Sequence, residues 1–174
     1  YYVAKGKVKV FKTNDDGKEL VTDLYSPGDF LGHVALLEDG PYTDSAEALE
    51  ETELVVIPKE DFEKLMNNKE IAQRFIKLLA KNITEKENQL IGIAYNSLRK
   101  KVAEALVVLQ KKYNPNKEKG FEIIINRGSL ASIAGTATES LIRTLSDFKN
   151  EKLIDLKGSS IVLLNNDKLE HLAN

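Results

Sequence analysis

NRGSLASIAGTATESLIRTLSDFKNEKLI, residues 126–154, has the spacing of two short helices that cross at a glycine turn. Such a pair needs a small residue at the crossing, a glycine at the corner and apolar inner faces. Ala131 fits the first role, Gly135 the second, and Leu130, Ala134, Leu141 and Leu145 the third. Thr138, Glu139, Ser140 and Arg143 then lie on the outer face at the start of the second helix, the end that enters the major groove in motifs of this shape. The residue types suit base edges. Arg can bond O6 and N7 of a guanine together, and Glu can accept from the N4 amine of a cytosine. Glu139 and Arg143 are four apart, so they share a face and can hold each other in position. Asn126 is a candidate N-cap for the first helix, and Arg127 beside that helix start is placed to meet a backbone phosphate. A competing reading stands beside this one. Thr136-x-x-Glu139 also fits a capping box, in which Glu139 only bonds back to the helix start.

Downstream, LIDLKGSSIVLLN predicts a β-hairpin turned at residues 157–160, with Lys157 near its tip as a phosphate-contact candidate, and DKLEHLA predicts a terminal helix. Upstream, FEIII is a short strand and SLRKKVAEALVVLQKKY an amphipathic helix. Helices followed by a hairpin make a winged helix, expected over residues 98–174. This part carries 13 Lys/Arg against 9 Asp/Glu, whereas residues 1–97 carry 12 against 18. An acidic part joined to a basic part implies that only the second meets a polyanion.

The first part has another grammar. KGKVKVFK alternates polar and apolar residues, turn signals follow at NDDGKE and SPGDF, and Gly6, Gly17, Gly28 and Gly40 recur every 11 or 12 residues. Short strands at that spacing make a sandwich or barrel, expected over residues 1–66. TELVVIPKE is a further strand, stopped by Pro58. From residue 59 to 113 there is no proline, and Ile76, Ile83 and Leu90 recur every seven residues, as do Leu79, Lys86 and Ile93. That is the pattern of a coiled-coil seam, so residues 67–97 are expected to form a long dimer helix ending in a hinge at 94–97. The first residues lack a Met and already have strand character, which suggests a fragment that begins inside a domain.

The 174-residue chain has no cysteine. Disulfides, thiolate catalysis, thiolate zinc sites and cysteine-bound clusters are excluded, and a reducing cytoplasm is the expected compartment. No apolar run reaches membrane length.

The order of parts resembles the CRP/FNR family of bacterial transcription regulators. The residues that carry the resemblance are YYVAKGKVKVF…DGKEL, PGDFLGHVALLE, SAEALEETELVVIPKEDFEKLM and RGSLASIAGTATESLIRTLSDFKNEKLI. It implies an α+β chain with an N-terminal jelly-roll-like β-roll whose first strands precede residue 1, a long dimerisation helix and a C-terminal winged helix-turn-helix. It also implies double-stranded DNA and RNA polymerase as partners, a homodimer through the long helix, and a palindromic site with a TGA-type core read by Glu139 and Arg143, assisted by Ser140. Thr138 stands where many members have another Arg, which changes the reading of the outer bases.

Members that bind cAMP hold it with a cassette of the form G-E-apolar…R-[ST]-A. Gly32 matches the glycine, Val34 and Ala35 follow it, and Ser45 with Ala46 match the end. His33 replaces the ribose-binding Glu and Asp44 replaces the phosphate-binding Arg, while Lys86 and Glu87 fall where adenine-contacting hydroxyls stand. An Asp facing a phosphate repels it, so cAMP is not expected to bind in the usual way, no cofactor or metal is expected, and any other effector is open. His33 and Asp44 could instead face each other in a salt bridge that mimics the ligand-held state. Other readings of the pair are a cradle for a cationic or uncharged effector, haem ligation by His33, and an acid–base dyad of an enzyme, which no nucleophile motif accompanies. The main alternative to a DNA-binding regulator is a sensor module that signals to protein partners, with the helix-turn-helix as a packing device.

Overall fold

The computed structural model describes residues 1–173. Along the chain run β1 (Tyr2–Lys5), β2 (Val8–Thr13), β3 (Glu19–Tyr25), α1 (His33–Leu37), β4 (Ser45–Ala48) and β5 (Glu53–Val55). Two small antiparallel sheets result, one pairing β1 with β5 and one in the order β3-β2-β4. The alternation seen in KGKVKVFK is realised on β2. Val8 and Val10 point into a core shared with Val3 and Leu31, and Lys9 points out of the opposite face. Three of the periodic glycines, Gly6, Gly17 and Gly28, have positive φ, as turns between short strands require.

Next come α2 (Lys59–Met66) and α3 (Lys69–Tyr95). The 27-residue α3 begins at Asn68, whose side chain accepts from the amides of Glu70 and Ile71 at 3.0 and 3.2 Å. The two heptad rows of the sequence separate on this helix. Ile76, Ile83 and Leu90 are each more than 60% exposed, whereas Leu79, Lys86 and Ile93 are partly buried, Lys86 against β3 and Ile93 beside Gly135 at the corner of the C-terminal domain. Lys86 therefore does not sit on an apolar seam. It pairs with Asp23 of β3 at 2.7 Å and donates to the Thr22 carbonyl.

α3 stops at Tyr95 and α4 (Leu98–Tyr113) starts soon after, capped by the Ser97 hydroxyl, which accepts from Lys100 N at 3.3 Å. Beyond lie β6 (Glu122–Ile124), α5 (Arg127–Ala134), α6 (Thr138–Asn150), β7 (Ile154–Lys157), β8 (Ser160–Leu163) and α7 (Asn166–Glu170). The sheet order is β6-β8-β7, and the β7–β8 hairpin is the expected wing, turned with Gly158 at φ +60. One apolar core joins these elements, with Leu106, Leu130, Leu141, Leu145, Phe148 and Ile161 all at most 1% exposed. The protein is thus α+β, with an N-terminal β-domain, a long helix and a C-terminal winged helix-turn-helix. Among the described residues no helix is long and apolar enough to cross a membrane.

Candidate DNA interface and effector cradle

The corner between α5 and α6 is built as the sequence implied. Gly135 ends α5 with φ +62, and its N–H reaches back to the Ala131 carbonyl. Asn126 caps α5 through its side chain, which accepts from Ser129 N at 2.7 Å. α6 begins differently. Its N-cap is Ala137, with no side-chain capping bond, so the capping box through Thr136 and Glu139 does not form. Glu139 and Arg143 are both exposed, and among the described residues neither makes a hydrogen bond or ion pair, not even with the other. The mutual support expected of the pair is absent. Thr138 and Ser140 are half-buried, and the Ser140 carbonyl accepts from the Thr144 hydroxyl at 3.0 Å.

Arg127 also departs from expectation. Its guanidinium donates to the carbonyls of Gly158 and Ser159 at 2.9 and 3.4 Å, so it grips the wing turn and does not stand free for a phosphate. Lys157 is exposed at the adjoining end of β7. Sequence reading missed this grip because its partners are backbone carbonyls 31 and 32 residues away, which carry no residue signal.

The second cluster surrounds α1. Gly32 has φ +80 and is the N-cap of α1, and a Cβ there would lie 3.1 Å from the Tyr42 ring. His33 is 7% exposed, with its ring edge-on to Phe75 of α3 at 5.4 Å, and Phe75 meets Phe62 at 5.6 Å. Val34 is exposed and Ala35 half-buried. His33 does not face Asp44 in a salt bridge. Asp44 pairs with Lys12 and accepts from the Thr43 hydroxyl at 3.3 Å, on exposed β-domain surface beside Ser45. The acid near His33 is Asp23, missed because it lies within the apolar strand pattern of β3. Burial pushes the His33 imidazole below its ordinary value, with the nearby Phe30 backbone and the Asp23 charge opposing. Burial pushes the Asp23 carboxyl up, against its pairing with Lys86. Glu87, beside Lys86, is exposed on the outer side of α3. A cleft of about 730 Å³ opens between β3, α3, α4 and α5, with Asp23 and Lys86 in its wall, while Gly32, His33, Asp44 and Ser45 lie outside it.

Residues 1–69 match the family profile of the cyclic nucleotide-binding domain, and residues 100–172 that of the Crp-like helix-turn-helix domain. The chain is 31% identical over 174 residues to the cyclic AMP receptor protein of Thermus thermophilus, covering 99% of this chain and 78% of that one. The chain belongs to the CRP/FNR family. A more distant relative, the cAMP-activated global transcriptional regulator CRP of Escherichia coli, is 26% identical over 166 residues, 94% of this chain and 79% of that one. Solved CRP/FNR-type structures share the fold. FixK2 from Bradyrhizobium japonicum superposes with a TM-score of 0.84 at 22% identity, covering 99% of this chain and 86% of that one. A CRP-family transcriptional regulator from Thermus thermophilus gives 0.80 at 22% identity, covering 97% and 84%. As a CRP/FNR member the chain is a DNA-binding transcription regulator, and α5 with α6 is its helix-turn-helix.

Proposed function

We propose that the chain acts as a homodimer that reads a palindrome with a TGA-type core, one α6 in each major groove. Glu139 and Arg143 contact the bases, assisted by Ser140 and Thr138. Lys157 lies on the phosphate side, while Arg127 supports it by holding the wing turn and Asn126 by capping α5. The observation that carries this reading is the outer face of α6. Its two long polar side chains stand exposed and unpaired on a helix whose inner face is fully packed, which a mere packing device would not need. The division follows, with a sensor over residues 1–66, a dimer helix over 67–97 whose exposed row is Ile76, Ile83 and Leu90, and a reader over 98–174. The work is done in the cytoplasm, where the DNA and RNA polymerase are, and involves no catalytic step by this chain.

The effector cradle does not hold cAMP in the way the relatives' names suggest for them. Asp44 offers a carboxylate, already paired with Lys12, where the cyclic phosphate needs a cation. His33 is packed against Phe75, and Lys86 is committed to Asp23. Fluorescence anisotropy with a labelled TGA…TCA duplex and a scrambled control, at physiological salt, tests the whole reading. Specific binding that millimolar cAMP leaves unmoved is the expected outcome, on the order of a thousandfold above the scrambled duplex. Equal affinity for both duplexes sinks the DNA reading, and specific binding that appears only with cAMP sinks the reading of Asp44.

A further inference from the structure

Lys9 lies on the face of β2 opposite Val8 and Val10, the face a lone sheet would give to water, yet it is 3% exposed. What covers it is α5. The Lys9 ammonium is paired with Glu19 of β3 at 3.2 Å and Glu47 of β4 at 2.9 Å, lies 4.7 Å from the centre of the Phe11 ring, and reaches the Ser129 hydroxyl of α5 at 3.5 Å. Ser129 is itself 4% exposed and is held from its other side by Asn126, on its N–H. Burial works against the Lys9 charge, but the two carboxylates outweigh it and keep the ammonium protonated. The same junction is closed by Lys112 of α4 on Asp29 at 2.5 Å, and by Leu20 of β3, which lies beneath the Gly135 turn. From α5 the position is handed on, because Ala131 and Leu141 lock α5 to α6 in one core.

We propose that Lys9 is a positioning residue for DNA reading, which fixes α5 on the β3-β2-β4 sheet and so sets where each recognition helix stands relative to its partner's. The two carboxylates, both on the sheet, hold the ammonium in place, and its remaining reach to one α5 hydroxyl selects the register that puts Ser129 there. Lys9 touches no DNA in this arrangement and acts through Ser129. The inference rests on the dimer reading of a palindrome given above.

The test uses the full chain and a set of palindromes with identical half-sites and spacers that differ by single base pairs. Each added base pair turns one half-site by about 34° around the duplex, so a dimer with fixed recognition helices binds its best spacing roughly tenfold or more above the neighbouring ones. Lys9→Met keeps the volume, and Glu19 and Glu47, with side chains 37% and 51% exposed, stay hydrated without it. The expected result is a spacing profile flattened to within about threefold, with discrimination inside each half-site unchanged and Lys9→Arg restoring the optimum. A Lys9→Met protein that keeps the wild-type spacing profile overturns the proposal. If Lys9→Met does not fold, Glu47→Gln, altered at a largely exposed carboxylate, decides by the same profile. A wild type with no preferred spacing overturns the dimer reading itself, and the proposal with it, before any variant is compared.

Discussion

Arg143 and Glu139 face outward from α6 with no partner among the described residues, so on the proposed reading neither has a bond to break before it meets a base. Replacing Arg143 by Ala is expected to cost about 1–3 kcal/mol at one G·C pair while leaving salt-dependent general binding in place. Anisotropy on duplexes altered at single positions reads both quantities. His33 gives a second expectation at this scale. Its imidazole is buried against Phe75 and held below its ordinary value, so the unfolded chain takes up a proton more readily than the folded one. The neutral form's stabilisation is complete above about pH 6.5 and declines as pH falls below that value. Thermal unfolding of the wild type should lose midpoint temperature between neutral pH and about pH 5 more steeply than His33→Phe, and equal slopes would refute it. The candidate residues could be picked from the sequence, but their partners in the fold could not. Lys12 for Asp44, Asp23 for Lys86 and the wing carbonyls for Arg127 are all brought in from distant strands by the tertiary fold.

Elements were more legible than contacts, because short-range chemistry sets them. Gly135, Asn126 and Ser97 each mark a helix end through their immediate neighbours, by left-handed backbone or by a side-chain cap. A Cβ on Gly135 would meet Leu20 at an ordinary 3.7 Å, so the cost of Gly135→Ala is backbone strain alone. It should be about 1 kcal/mol, read as a lowered midpoint of urea unfolding with unchanged m-value. The start of α6 was not legible. Thr136 and Glu139 have capping-box spacing, yet the N-cap falls one residue later, at Ala137, because Gly135 and Thr136 are used in turning the corner out of α5. The heptad count on α3 ran two rows together for a related reason. A seven-residue period tells that a row is apolar, and only the β-domain's position tells which row it covers.

For the whole molecule, the exposed row of Ile76, Ile83 and Leu90 is the seam on which the proposed dimer depends. Ile83→Glu places a charge in the middle of that row, and sedimentation velocity should show a monomer at concentrations where the wild type is a dimer. Its affinity for a palindrome should then fall to that for a single half-site, and a variant dimer would refute this use of the row. The strand-rich and helix-rich patterns of the sequence separated an N-terminal from a C-terminal part, but did not show that the second would pack on the first, since Lys9 and Ser129 are 120 residues apart. α3 spans 27 residues, a rod about 40 Å long at about 1.5 Å per residue. At one end it carries Phe75 against His33, and at the other only Asn96 and Ser97 separate it from α4. Mechanically this is a lever with its load at the far tip. A tilt of about five degrees at the sensor end displaces the other by roughly 3.5 Å, close to the rise of one base pair. Events too small to reshape a pocket can therefore move the start of α4 by the length of a base step, against the hold of Lys86 and Gln89 on β3.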